Sequence, residues 1–299
     1  MDLEALYDEI LSGKPAHAAV AHRTLWKVTG RDRVRYLNGQ VTSDVAALSA
    51  GSAIYAALLT TKGRLVADLW IGASDDALWI DGPTPERDSL EARLRQFLAA
   101  DDVEIERLDG WTLTRAFPDS STFALPTPSP SVAFRSARFG LPGLDLWSPE
   151  AGVGEIGIPI PEALLESLRL EARFPQWGKE LHPGDLPQEV GMDPLAISYR
   201  KGCYVGQEIV SRLHHIGHPN RMLVLLTAPP GSGTLQAGAG LWQAEDEVGR
   251  VTSVARSFAK KCEIALGIVK RGSSVPGTPL SCNGSNVEVI APLRMPCGP

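Results

Sequence analysis

The sequence predicts an α+β protein of more than one domain, and three observations carry that prediction. Between Ala53 and Ile80, three apolar runs are cut by short turns, the pattern of an antiparallel meander. From Arg221 onward, alternating runs are cut by Gly and Pro at a spacing that fits a separate small antiparallel barrel. Between the two lies Pro118 to Ser131, rich in Pro, Ser and Thr and too interrupted for a core element, which marks a linker or domain edge.

The elements follow in order. Leu3, Leu6, Ile10 and Leu11 recur at helical spacing and predict a short amphipathic helix. Thr24 to Thr29 reads as a strand, and Gly30-Arg31-Asp32 leads into a helix carrying Val34 and Leu37. Asn38-Gly39 is suited to left-handed backbone at that helix's end. The meander comprises Ala53–Leu59, Leu65–Ile71 and Ala77–Ile80, turned at Thr60-Thr61-Lys62-Gly63 and at Ser74-Asp75-Asp76. A helix from Pro85 to about Ala99 would bury Leu90, Leu94, Phe97 and Leu98. Val103–Leu108 and Trp111–Ala116 then complete a strand–helix–strand pattern of a small α+β sandwich. After the linker, Leu144 to Trp147 reads as a strand and Pro161 to Arg173 as a helix facing inward with Leu164, Leu168 and Ala172. The barrel strands are Met222–Leu226, Leu241–Gln243, Arg250–Ala255, Ala265–Val269 and Val287–Ile290.

With 299 residues the chain has room for two or three domains, and no stretch of about eighteen apolar residues predicts a membrane span. The acidic, amphipathic start Met1-Asp2-Leu3-Glu4 is unlike a secretory signal, so cytoplasmic residence is the expectation. A net charge of −6 offers no broad attraction to nucleic acid. The cysteines Cys203, Cys262, Cys282 and Cys297 form no Cys-x-x-Cys pair, which argues against a disulfide framework and a self-contained zinc or iron–sulfur site. Metal ligands are therefore not expected. His214, His215 and His218 read as solvated side chains around a turn near Gly217.

Lys201-Gly202-Cys203-Tyr204-Val205-Gly206-Gln207-Glu208 carries the most chemistry. It sets a thiol beside a Lys and ahead of what reads as a helix start, and both an ammonium and a helix N-terminus stabilise a thiolate. Cys203 is then either a nucleophile or a small buried apolar residue at a tight turn.

This motif, with Arg169-Leu170-Glu171-Ala172 and the Pro-x-x-Gly at Pro175 to Gly178, resembles the YgfZ folate-binding proteins, relatives of the glycine-cleavage T-protein (aminomethyltransferase). Asp32 to Val45, the hairpin Leu58 to Asp68 and Gly249 to Ser253 resemble the same family. The resemblance implies a ring of three domains around a central hole. Residues 1–50 with 130–215 would form a discontinuous folate-binding domain, 51–117 a ferredoxin-like domain, 118–130 a linker and 220–299 the C-terminal β-barrel.

It also implies a tetrahydrofolate or one-carbon-substituted folate in the hole, with Glu171 gripping the pteridine. The residue types suit such a ligand: Trp177, Tyr199 and Tyr204 as ring walls, and Arg169, Arg200, Lys201, Lys62 and Arg64 near its edge or carboxylate tail. Each has a plainer reading as core aromatic, surface cation, hairpin tip or helix ion pair. Where T-proteins carry two adjacent aspartates, this chain has Ala67-Asp68, leaving Asp68 as the proton-handling candidate. The implied role is that of a folate-dependent helper of iron–sulfur enzymes, tRNA-modifying ones included, with Cys203 as the functional thiol and client enzymes as transient partners. The alternative is a folate-dependent aminomethyltransferase or demethylase, and a bare interaction module is the third.

Overall fold

The computed structural model describes residues 2–118, 132–149 and 156–291. Helix α1 (Leu3–Leu11) starts on Asp2, whose carboxylate accepts the amides of Glu4 and Ala5, and buries Leu6, Tyr7 and Ile10. Two five-stranded sheets and a closed barrel follow. The first sheet contains β2 (Arg23–Thr29), β3 (Ala53–Leu59), β4 (Leu65–Ala73), β5 (Leu78–Pro83) and β6 (Glu104–Leu108), in the order β3-β4-β5-β2-β6. Its neighbours are all antiparallel. Helices α2 (Arg33–Gln40) and α3 (Arg87–Arg95) cover one face, where Trp26, Leu37, Leu58, Leu69, Ile80, Leu90 and Leu94 form the core. The opposite face carries Tyr55, Leu59 and Trp70, packed on Phe174, Leu181, Met192 and Tyr204. Burial on both faces is why β3 and β4 read as nearly continuous apolar runs, interrupted only by Asp68, rather than alternating ones.

The second sheet takes β1 (Ala16–Val20), β7 (Trp111–Phe117), β8 (Val132–Ser136), β9 (Gly143–Pro149) and β10 (Ile158–Pro159), in the order β10-β1-β7-β9-β8. The sheets therefore cut across the expected 1–50, 51–117 and 130–215 division. Strand β2, from the first segment, is the fourth strand of the sheet formed by 53–83, and β7 leaves that sheet to pair with β1 and β9. Local periodicity marks each strand but says nothing about which edge it joins. The expected linker falls almost wholly on residues 119–131, outside the described residues.

Other local expectations are also corrected. Asn38 and Gly39 lie inside α2, and neither has left-handed backbone. The helix ends instead at Val41, whose extended backbone forms a bridge to Leu58. Helix α3 stops at Arg95 rather than running to Ala99.

Helix α4 (Glu162–Glu171) ends in a Schellman motif. The Phe174 amide donates to the Arg169 carbonyl and the Arg173 amide to that of Leu170, with Arg173 itself left-handed at φ 53°. That turn delivers Phe174 toward the first sheet. Short helix α5 (Asp193–Ala196) and helix α6 (Gln207–His215) precede the barrel. The barrel strands are β11 (Arg221–Ala228), β12 (Gly240–Gln243), β13 (Asp246–Ser257), β14 (Cys262–Lys270), β15 (Pro279–Cys282) and β16 (Ser285–Ile290), closed in the order β11-β14-β13-β12-β15-β16. β15, not among the strands the sequence predicts, is four residues beginning with Pro279 and too short to show a period. Among the described residues no helix is long and apolar enough to cross a membrane.

Candidate functional site

The inward faces of the two sheets meet across a cavity of about 690 Å³. Tyr55 and Trp70 line it from the first sheet, Arg135, Ser136 and Ala137 from the end of β8, and Phe174 from beyond α4. Ser43 and Asp44, residues of the stretch from Ala47 to Ile54, Leu195 and Ile197 to Arg200 add to the wall, and among the described residues no lining residue comes from the barrel. The expectation of a hole shared by three domains narrows accordingly to a cavity between two sheets. Its aromatic wall is one cluster: the Tyr55 ring lies 5.0 Å from Trp70 and 5.2 Å from Phe174, and Trp70 stacks on Phe174 at 6.2 Å. Such a volume with flat apolar walls and a few polar groups suits a drug-sized heteroaromatic ligand.

Strand register explains what lies beneath the aromatic wall. Trp70 pairs with Asp81 and Leu25 with Asp81, so Asp81, Asp68 two residues before Trp70 and Arg23 two residues before Leu25 share one face. In the second sheet Arg115 pairs with Asp145, placing that couple on one face as well. The two faces join in a buried chain. Arg23 donates to Asp68 at 2.9 Å and to Asp81 at 2.5 Å. Arg138 bonds Asp81 and Asp145, and Arg115 donates to Asp145 at 2.9 Å and to Ser136 at 2.5 Å. Three arginines and three aspartates thus cross from one sheet to the other with balanced charge. The Arg138 guanidinium also lies 5.0 Å over the Trp70 ring, tying the network to the cavity wall.

Asp68, expected to manage protons at the ligand, is fixed in this network. One oxygen accepts from Arg23 and the other from the Tyr55 hydroxyl at 3.1 Å, and Asp68 does not line the cavity. Burial, with Asp68 close by, raises the Tyr55 phenol well above its ordinary value and keeps it a neutral donor.

Glu171 and Arg169 are placed elsewhere too. Glu171 is fully buried at the barrel side of α4, accepting from Tyr7 Oη at 2.7 Å, Ser257 Oγ at 2.8 Å and the Ala259 amide at 3.2 Å. Arg169 binds Glu166, Glu180 and Ser253. Glu180 in turn accepts from Thr252 and Ser253. These groups dock the barrel onto α4, and neither Glu171 nor Arg169 reaches the cavity. Glu171→Gln is expected to lower stability by about 1–3 kcal/mol, measured by urea denaturation, because one of its oxygens becomes an amide facing donors. Affinity for the tetrahydrofolate that the resemblance implies, measured by calorimetry, should stay unchanged. Lost affinity at wild-type stability would instead place Glu171 at the ligand.

Of the remaining expected site residues, Tyr199 and Arg200 line the cavity, whereas Trp177, Tyr204, Lys201, Lys62 and Arg64 do not. The Tyr199 hydroxyl donates to Asp193, and burial with that carboxylate raises its phenol above its ordinary value. The Tyr199 ring stacks on His214 at 3.6 Å, so that histidine, at the end of α6, is a packing partner. Among the described residues no group of three or more His, Cys, Asp or Glu is arranged to hold a metal.

The cysteine motif forms a second locus beside the cavity. Cys203 is exposed, which sets aside the reading of a small buried apolar residue. Helix α6 begins only at Gln207, after the left-handed N-cap Gly206 (φ 86°), so the thiol precedes the helix rather than capping it. Lys201 turns away from helping it. Its Nζ donates to the carbonyls of Asn38 at 2.5 Å, Val41 at 2.9 Å and Ser43 at 2.8 Å, using all three protons. Burial pushes that ammonium down to about 8. The Lys62-Gly63-Arg64 hairpin packs against the same motif: a Cβ on Gly63 would sit 2.9 Å from Ile209, and one on Gly206 2.6 Å from the Thr60 carbonyl oxygen. Three sequence-distant motifs therefore converge here.

Sequence reasoning missed Tyr55, Trp70 and Phe174, and the whole Arg–Asp chain. The readable signal was an acid inside an apolar strand, as in Trp79-Ile80-Asp81-Gly82 and Leu144-Asp145-Leu146-Trp147.

Residues 221–292 match the family model of the glycine cleavage T-protein C-terminal barrel domain. A mitochondrial iron–sulfur cluster assembly factor IBA57 homologue of Mycosarcoma maydis is 30% identical over 247 residues, covering 72% of this chain and 59% of that protein. The chain thus spans less than two thirds of that relative's length. The tRNA-modifying protein YgfZ of Sodalis glossinidius is 28% identical, covering 69% of this chain and 70% of its own. The crystal structure of glycine cleavage system aminomethyltransferase T from Bartonella henselae superposes with a TM-score of 0.79 at 19% identity, covering 99% of this chain and 90% of that one.

Proposed function

Since the chain belongs with the YgfZ proteins and their T-protein relatives, we propose that it binds a reduced folate in the inter-sheet cavity and supports the assembly or upkeep of iron–sulfur enzymes. The observation that carries this reading is the Tyr55–Trp70–Phe174 wall, flat apolar surface in the same cavity lining as Ser43 and the cations Arg135 and Arg200. A pteridine needs such ring faces, and a glutamate tail needs such cations. The bound folate would supply one-carbon or redox chemistry, while the chain itself holds and orients it. Clients among tRNA-modifying enzymes follow the same reading, as does a cytoplasmic setting. The IBA57 homologue of Mycosarcoma maydis carries a mitochondrial name.

An accessory role is favoured over aminomethyl transfer because Asp68 has both oxygens occupied and stands behind Tyr55 rather than at the cavity. The exposed Cys203 would then face the client. Calorimetric titration with tetrahydrofolate should give one site per chain, weakened about 10-fold or more by Trp70→Ala, with the variant's fold checked by circular dichroism. Cys203→Ser should bind folate normally yet fail to sustain iron–sulfur enzyme activity in cells. No heat with any reduced folate would overturn the reading. Turnover of an amine donor to methylenetetrahydrofolate, abolished by Asp68→Asn, would establish the transferase instead.

A further inference from the structure

We propose that Lys201 is a positioning residue that couples occupancy of the inter-sheet cavity to the reactivity of Cys203. The loop carrying the thiol stands as an arch on a single segment. Its first foot is the Lys201 ammonium, held by the carbonyls of Asn38, Val41 and Ser43. Its second foot is the Val205 amide, donating to the Gly39 carbonyl at 3.1 Å. Gly202 and Cys203 are exposed at the crown between the feet.

One end of the footing, Ser43, is also cavity wall. Asn38 and Gly39 lie in the last turn of α2, whose outward carbonyls lack helical partners and attract a cation. Ser43, three residues past the helix, lines the cavity, and its hydroxyl bonds the carbonyls of Tyr55 and Ala196. On the other side of the first foot, Tyr199 and Arg200 line the same cavity and run directly into Lys201. A ligand pressing on Ser43–Asp44 or on Tyr199–Arg200 therefore bears on the footing from both directions. Tyr204, beside the thiol, is buried with its hydroxyl unbonded and its ring 5.3 Å from the Lys201 nitrogen, and its carbonyl accepts the Gln207 amide at 3.2 Å, so among the described residues no side-chain hydrogen bond pins the crown independently of the feet.

The coupling rests on the folate reading for its probe, and the test separates the two. Full-length protein is treated with iodoacetamide with and without saturating tetrahydrofolate, and alkylation at Cys203 is timed by peptide mass spectrometry. Half-buried Cys262 and buried Cys282 serve as internal references. In the wild type, folate should change the Cys203 rate by at least about 5-fold, the lower end of ordinary site-to-site coupling. In Lys201→Met, which keeps the aliphatic stem and loses the donors, folate should still bind while the ratio falls to near unity. A merely structural lysine would shift both rates together and preserve the ratio. A wild-type ratio of one at calorimetric saturation overturns the coupling and leaves folate binding intact, and so does a full ratio in Lys201→Met. No calorimetric heat overturns the folate reading and the coupling with it. Should Lys201→Met fail to fold, the wild-type ratio and ligand-induced protection of the Val205 amide in hydrogen exchange decide the matter.

Discussion

Asp145→Ala is expected to cost about 3–5 kcal/mol of stability in chemical denaturation, because it leaves Arg115 and Arg138 buried without their shared carboxylate. Both arginines are at least nine-tenths buried, and the Arg–Asp chain joins the two sheets that form the cavity. The same variant should weaken tetrahydrofolate binding, since Ser136, which bonds both Arg115 and Asp145, lines the cavity. A loss below about 1 kcal/mol would mean the guanidinium groups find solvent, and that the network does not hold the sheets.

The acid limb of the stability curve tests the same chain. Burial works to raise the Asp145 carboxyl, but Arg138 and Arg115 hold it below its ordinary value. A carboxyl lowered in the folded state contributes stability that is fully present above its unfolded value, near 3.9, and is lost as pH falls through the folded value. The wild type should therefore shed this contribution below about pH 4, and Asp145→Ala should show a shallower acid slope.

Gly206→Ala is expected to cost roughly 2–4 kcal/mol, the sum of left-handed backbone for a residue with a side chain and a contact that cannot relax. The added methyl would meet the Thr60 backbone oxygen at 2.6 Å, across the junction of hairpin and thiol loop. Gly202→Ala, four residues earlier, has nothing within 4 Å and no left-handed backbone, so it should be near neutral. Urea midpoints of the pair give the comparison, and equal effects would show that the hairpin does not brace the loop.

Much of the architecture was legible because it depends on local periodicity. α1, the 53–83 meander, α4 and most of the barrel follow from apolar spacing within one element. What was not legible depends on partners distant in sequence. Nothing near Trp111 says that its strand leaves the first sheet, and nothing near Asn38 says that a bridge to Leu58 will end the helix. The site divides in the same way. Cys203, Tyr199 and Arg200 stand where the motif drew attention, and the Lys62-Gly63-Arg64 hairpin does meet the motif. Glu171 was attractive as a carboxylate, yet its partners Tyr7 and Ser257 lie more than eighty residues away on either side. Lys201 was assigned to the thiol by adjacency, whereas its side chain is long enough to find three carbonyls elsewhere.

The strand borders also bear on how a protein partner of the proposed role would be recognised. A closed barrel has no free strand border. The end strands β3 and β8 of the two sheets are linked through the Ser52–Arg135 bridge, β10 is two residues ending in proline, and β6 exposes Glu104 and Glu106. Among the described residues there is thus little open main chain for an extended peptide to extend as an added strand. Any protein partner of the proposed role would then have to be read through side chains and loop shape rather than by main-chain pairing.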